Sequence, residues 1–273
     1  RPPATARLVD AWQSSLERAG REGLPIDDPS AFTRWAERLS GLHDWGDGDH
    51  KEGLEQLCAS LASDFELTGT GRIGVWAQVL PALVTRLRLE ARRAEGPLSL
   101  PRPPVVVFGL PRSGTTFLHR LLAAVPGLRP LRTFELQRPF AGRGVDLRRA
   151  GAGVRLNRLK ALSPELDRKH YFGVDEPEEC MLLLDPSLKS LTYTMLWPAQ
   201  AYSRWLFTAD HRPAYRVWRD LLAVLHADTP DARLVLKAPA HTGFLDALLH
   251  AEPGALLVQT HRAPVPVVGS MAS

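Results

Sequence analysis

The sequence predicts an α/β fold, a central parallel sheet flanked by helices and preceded by a helical region. Three observations carry that expectation. Short apolar runs at 105–108, 232–237 and 255–261 have the length and composition of buried parallel strands. Patterns of helical period follow them. The first hundred residues, by contrast, show helical periodicity only, and Pro97, Pro101, Pro103 and Pro104 close them with a stiff linker. The expected organisation is a helical appendage over residues 1–100 and an α/β domain over 101–273.

Residues 4–40 read as two amphipathic helices. Leu8, Val9, Trp12 and Leu16 form one apolar stripe and Phe32, Trp35, Ala36 and Leu39 the other, with Pro25 and Pro29 in the connection. The stretch Gly41-Leu-His-Asp-Trp-Gly-Asp-Gly-Asp49 is loop-like. Clustered Asp and Gly form turns and caps, and a metal reading of His43, Asp44, Asp47, Asp49 and His50 is the lesser alternative. Two further helices are expected from Leu54 to Phe65 and from Ile73 to Arg92, with a kink at Pro81.

The stretch from Val105 to Leu122 organises the chain. A strand pattern is broken by Gly109, Pro111, Ser113 and Gly114, and apolar residues resume at helical spacing at Phe117, Leu118, Leu121 and Leu122. Strand, glycine-bearing loop and helix make a phosphate cradle, because the loop's N–H groups and the helix N-terminus both face an anion. Gly109 and Gly114 bracket four residues, as in the pattern G-x-x-x-x-G-K-[ST], and Thr116 holds the final place. Thr115 stands where the lysine that reaches β- and γ-phosphates would be. The loop therefore suits a shorter phosphate chain, with Arg112 as its cation.

Leu131–Leu136 is expected to be a second short strand or a strand end. Phe134 and Leu136 flank Glu135 with apolar side chains, a setting in which desolvation favours a carboxyl that accepts a proton. Residues 137–215 read as mostly helical and irregular. Asp175-Glu-Pro-Glu-Glu179 suits the N-terminus of a helix, with carboxylates that orient an acceptor as the second reading. Tyr171, Phe172, Tyr193, Trp197, Tyr202 and Trp205 are expected to be mainly core, from the same stock an acceptor pocket would use.

A helix from Tyr215 leads into the strand 232–237, which ends in Lys237. A side chain at the carboxyl end of a parallel strand points into the crevice where ligands bind. His241-Thr242 is placed to cap the helix expected over Gly243–Ala251. The last strand runs into Arg262, a proline turn and a helix carrying Ser270. A guanidinium fork and a hydroxyl there suit a second phosphate.

These motifs resemble sulfotransferases that use 3′-phosphoadenosine 5′-phosphosulfate (PAPS), nearest to the bacterial branch and to the Golgi glycan- and tyrosine-modifying branch. Pro111-Arg-Ser-Gly-Thr-Thr116 resembles the family's 5′-phosphosulfate loop, although cytosolic relatives usually carry Lys at the place of Arg112. Leu236-Lys-Ala-Pro-Ala-His241 resembles the Lys-x-Pro segment whose lysine contacts the transferring sulfate. Arg262 with Ser270 eight residues on matches the 3′-phosphate element, and Gly41-Leu-His-Asp44 fits the N-terminal region of bacterial members.

The resemblance implies PAPS as cosubstrate, held by Pro111, Arg112, Ser113, Gly114, Thr115, Thr116, Arg262 and Ser270. It implies in-line transfer to a hydroxyl, or an amine, of a small-molecule acceptor, lipid-like compounds and natural products included. Arg112 and Lys237 act as the catalytic cations, with no metal. The base is Glu135, at the family's place shortly after the loop helix though about two residues late, or His241, four positions past Lys237; Glu135 is favoured. Relatives continue past this last helix, so the domain over 101–273 is expected to lack a C-terminal part. The rivals are a P-loop kinase or NTPase, which the missing lysine disfavours, and a non-catalytic nucleotide-binding member.

Composition narrows the class further. With 34 Lys+Arg against 30 Asp+Glu the chain is mildly basic, and eleven of those cations against four acids fall between Arg129 and Lys169. That run fits a sulfate-attracting rim or solvated helix faces. No aromatic-plus-basic module points to nucleic acid. Cys58 and Cys180 are isolated, no apolar run spans a membrane, and a reduced cytoplasm is the expected location.

Overall fold

The computed structural model describes residues 23–142, 145–162 and 173–272. The helix expected from Leu8 to Leu16 lies outside them, as do Tyr171 and Phe172. Two compact units emerge: the residues up to Ala94 together with Asp185–Ala209, and Glu95–Leu184 together with Asp210–Ser273. The return of 185–209 to the first unit is not marked by any linker-like composition.

The first unit is helical. In α1 (Pro29–Ser40) the Asp28 carboxylate accepts the Ser30 N–H at 2.9 Å, Pro29 opens the first turn, and Gly41 closes the helix at φ 69°. After α2 (His50–Ser63), α3 (Gly69–Ala94) runs through Pro81. Phe32 of α1 stacks on Trp76 of α3 with centroids 4.2 Å apart. Leu54, Leu57, Leu61, Val79, Leu83 and Leu87 fill the core with them. Short helices Leu191–Leu196 and Gln200–Leu206 bring Tyr193 and Tyr202 into the same core, fully buried, with Trp197 and Trp205 packed against it. Their hydroxyls donate to the carbonyls of Asp185 (3.0 Å) and Leu188 (2.8 Å), so both rings are used structurally. The acidic loop before α2 also has a structural partner: fully buried Arg86 ion-pairs with Asp47, Asp49 and Glu90.

The second unit is built on a parallel sheet in the order β2-β3-β1-β4, where β1 is Val105–Phe108, β2 Leu128–Pro130, β3 Arg233–Lys237 and β4 Leu256–Gln259. Register aligns Val107 with Lys237 and with Val258. The loop that follows β1 therefore leaves the sheet level with the end of β3. All four residues of β1 are buried, as an apolar run in a central parallel strand requires.

Helices α4 (Thr115–Ala123), α5 (Thr133–Gln137), α6 (Arg148–Leu162), α7 (Arg212–His226), α8 (Leu245–Ala251) and α9 (Pro264–Ala272) complete the unit. On α4 the expected apolar face is corrected. Phe117 and Leu121 are exposed, at 70% and 52%, while Thr115 and His119 are buried. His119 reaches β3 instead, its Nε2 lying 3.1 Å from the Val235 carbonyl, and burial lowers its pKa to about 4. The second strand is corrected too: it spans 128–130, and Thr133–Gln137, which holds Glu135, is a short helix.

Candidate active site

The loop after β1 owes its shape to Gly109. At φ 139°, its missing Cβ would sit 2.5 Å from the Thr260 carbonyl and 2.6 Å from the Thr260 hydroxyl. Only glycine lets β1 and the end of β4 approach so closely. Ser113 fastens the turn, its hydroxyl 2.5 Å from the Leu110 carbonyl and 2.7 Å from Thr260 Oγ1. Thr260 went unnoticed in the sequence, where it is one more polar residue at a strand end. Arg112 takes a left-handed φ of 66° and Gly114 one of 97°. The first helical bond of α4 then runs from the Leu118 N–H to the Gly114 carbonyl at 3.0 Å. The N–H groups of Thr115 and Thr116 precede that bond and face the helix N-terminus, where an anion is favoured.

Three of the sequence-derived residues meet at this loop. Arg112 Nε donates to Ser270 Oγ at 2.9 Å, and Arg262 Nη1 donates to the Arg112 carbonyl at 3.1 Å. The segment after β4 and helix α9 thus bring Arg262 and Ser270 against the loop that follows β1.

Lys237 closes β3 with 1% of its side chain exposed. Its ammonium donates to Glu179 Oε1 at 2.8 Å. A buried ammonium without a counter-charge would be costly, and Glu179 supplies the charge. The acidic stretch 175–179 is therefore not the N-terminus of an α-helix. Cys180–Ser187 is a 3₁₀ segment, Pro177 bridges to Arg132, and Glu179 faces Lys237. Sequence could have paired them only through the need of a strand-end lysine for an acid.

Both expected bases, Glu135 and His241, have side-chain partners in the structure. Glu135 is not in an apolar setting: Oε1 ion-pairs with Arg129 and Oε2 accepts the Arg132 N–H at 2.8 Å, capping α5. It lines a cleft of about 560 Å³ with Arg129, Arg132, Arg149 and Asp175. Asp175 pairs with Arg149 at 2.9 Å and Arg132 at 3.5 Å, so part of the basic run expected as a rim is held in ion pairs. Glu135→Gln is expected to cost about 1–3 kcal/mol of stability, the loss of a charged hydrogen bond and its ion pair. Thermal unfolding checks this; an unchanged midpoint with turnover abolished would support Glu135 as the base.

His241 is fully buried in the 3₁₀ segment Pro239–Gly243. Its Nδ1 lies 2.7 Å from the Tyr215 hydroxyl and its Nε2 3.1 Å from Cys180 Sγ. Burial lowers its pKa to about 3 and pushes the Cys180 thiol up to about 12. Neither ring nitrogen is open to an acceptor. Nor does the side chain cap a helix: α8 begins at Leu245, with Phe244 at its N-cap.

A parallel sheet thus carries a glycine-turned loop at a helix N-terminus, a strand-end lysine, and a second arginine and a serine in contact with that loop, a geometry suited to an anionic ligand. Residues 103–273 match the sulfotransferase family, and the chain belongs to that family. Its reaction is sulfuryl transfer. It is similar in structure to sulfotransferase STF1 from Mycobacterium tuberculosis H37Rv, at 31% identity and TM-score 0.76, over 90% of this chain and 70% of that one. Sulfotransferase STF9 from Mycobacterium avium is similar at 26% identity and TM-score 0.78, over 89% of this chain and 64% of that one. No curated protein sequence matches significantly. Among the described residues no helix is long and apolar enough to cross a membrane.

Proposed function

We propose that this sulfotransferase takes its sulfuryl group from PAPS and passes it to a hydroxyl, or less readily an amine, of a small-molecule acceptor. The observation that carries the reading is the meeting of Arg112, Arg262 and Ser270 at one loop. A ligand with anions on the 3′ and 5′ positions of one ribose needs two such elements close together. The N–H groups of Gly114–Thr116 cradle the 5′-phosphosulfate, the Ser113 N–H being used by the Leu110 carbonyl within the turn, while Arg262 and Ser270 take the 3′-phosphate. Arg112 and Lys237 stabilise charge on the sulfuryl group and on the bridging oxygen as the acceptor attacks in line. The same cradle lacks the lysine of nucleoside triphosphate enzymes, since Thr115 stands in its place.

Calorimetric titration with PAPS, adenosine 3′,5′-bisphosphate and ATP–Mg²⁺ tests the donor. Tighter binding of ATP–Mg²⁺ than of PAPS would overturn it. Arg262→Ala is expected to weaken PAPS binding by about 2–3 kcal/mol, the loss of a charge-assisted pair at a partly exposed site. Adenosine 5′-phosphosulfate, which lacks the 3′-phosphate, should bind both proteins alike. Equal losses for the two ligands would place Arg262 outside the 3′-phosphate site.

A further inference from the structure

The cleft of about 560 Å³ that Arg129, Arg132 and Arg149 line has room for a small molecule. We propose that it holds an anionic group of the acceptor, at the end remote from the hydroxyl that is sulfated. This substrate class rests on the donor reading above.

The cleft opens close to the strand-end lysine. Pro130 of β2 pairs with Val235, so the chain beyond β2 leaves the sheet level with Lys237. Pro177, on the cleft wall, bridges to Arg132, and two residues further on Glu179 touches the Lys237 ammonium at 2.8 Å. A hydroxyl presented at Lys237 therefore has the cleft behind it, within the span of a small molecule.

Charge and donor geometry set the class. Three guanidiniums, Arg129, Arg132 and Arg149, meet two carboxylates, Glu135 and Asp175, which leaves one positive charge in surplus. Glu135 is satisfied on both oxygens, by Arg129 and by the Arg132 N–H. Asp175 serves two arginines with one oxygen, Arg149 at 2.9 Å and Arg132 at 3.5 Å, and the longer contact is a weak one. The contact from Arg149 uses its Nε, and its guanidinium carbon lies 4.1 Å from the centre of the buried Phe134 ring. That stacking holds the guanidinium plane in place, with its terminal nitrogens preorganised for an anion. Arg132 and Arg149 are 48% and 53% exposed, so a ligand reaches both. Arg129 Nη1 is buried and has no acceptor among the described residues, a further donor in surplus. An anion supplies the charge these three lack, whereas a cation would have to take a carboxylate away from its arginine.

Matched acceptors read this out. The chain would be assayed with PAPS and 4-hydroxyphenylalkanoates from acetate to octanoate, beside their methyl esters and the amines of matching length. The length series covers the span from Lys237 to the cleft. The best carboxylate is expected to exceed its ester by about 10-fold in kcat/KM, the worth of a charge-assisted contact at a half-exposed site. The gain should lie in KM, because a group remote from the reacting atoms is held equally before and during transfer. Added salt should shrink the carboxylate-to-ester ratio, from which the donor's own salt dependence cancels. Arg132→Gln should lower the ratio, Arg149→Gln should bring it close to one, and Arg149→Glu should turn the preference to the amine. Affinity for adenosine 3′,5′-bisphosphate reports that each variant is folded.

The proposal is overturned if no carboxylate of the series outperforms its ester, or if Arg149→Glu keeps the wild-type ratio. Binding of PAPS with a flat ratio sinks the acceptor class alone. A wild-type chain that binds neither PAPS nor the bisphosphate sinks the donor reading, and this one with it.

Discussion

Lys237→Met is expected to slow sulfuryl transfer by about 10²–10³-fold, the effect of removing one preorganised charge from the place where negative charge develops. The side chain is almost wholly buried along β3, and only its ammonium is polar. Methionine replaces the apolar stem at similar length, so little packing is lost. On the function proposed above, what disappears is the cation beside the bridging oxygen, needed more in the transition state than with the donor merely bound. Single-turnover release of adenosine 3′,5′-bisphosphate measures the chemical step, and the bisphosphate, which keeps that oxygen on its 5′-phosphate, should bind more weakly too, but by a smaller factor than the rate falls. A variant that keeps a tenth or more of the rate would remove Lys237 from the chemistry. Because Lys237 and Glu179 are in contact, the double variant Lys237→Met with Glu179→Gln should lose less than the product of the single losses. Independent multiplication would show that the pair does not act as one unit.

How much of this was legible in the sequence depended on whether a feature is local. The strand, the glycine-turned loop and the N-terminus of α4 are written within eighteen consecutive residues. Each obeys a rule of backbone geometry, so all were readable. Lys237 was readable because a strand end fixes where a side chain goes. Its partner was not: Glu179 lies 58 positions earlier, in a stretch whose acids fit a helix cap equally well. The surroundings of Glu135 were misread for a similar reason. Apolar neighbours in sequence suggested an apolar environment, but α5 turns its carboxylate towards Arg129, on β2, and the Arg132 N–H. On α4 the period was right and the face was not, since His119, rather than Phe117 or Leu121, packs under the sheet. The membership of 185–209 in the first unit rests on long-range burial of Tyr193 and Tyr202, which no local pattern announces.

Acid should unfold the second unit steeply, starting near pH 6.5. Burial lowers His241 from an ordinary 6.5 to about 3 and His119 to about 4. Both rings are neutral in the folded chain and charge only in the unfolded one over that window. The unfolded state thus binds more protons, and stability rises with pH there. Above about pH 6.5 neither ring contributes a slope. As pH falls towards 4 and then 3, stability is lost progressively, on the order of 4 kcal/mol from His241 alone. In the first unit the signs are mixed. His50, lowered to about 4 mainly by burial, loses stability in acid, whereas Asp185, raised by burial to about 6, is relieved as it protonates between pH 6 and its ordinary 3.8. Thermal midpoints followed from about pH 7.5 down to 4 should therefore fall, and hydrogen exchange should localise the early opening to the second unit. His241→Gln keeps one donor and one acceptor for Tyr215 and Cys180 and removes the titration, so its stability at neutral pH should drop while its acid slope flattens. A slope as steep in His241→Gln as in the wild type would mean that the buried ring does not govern acid unfolding.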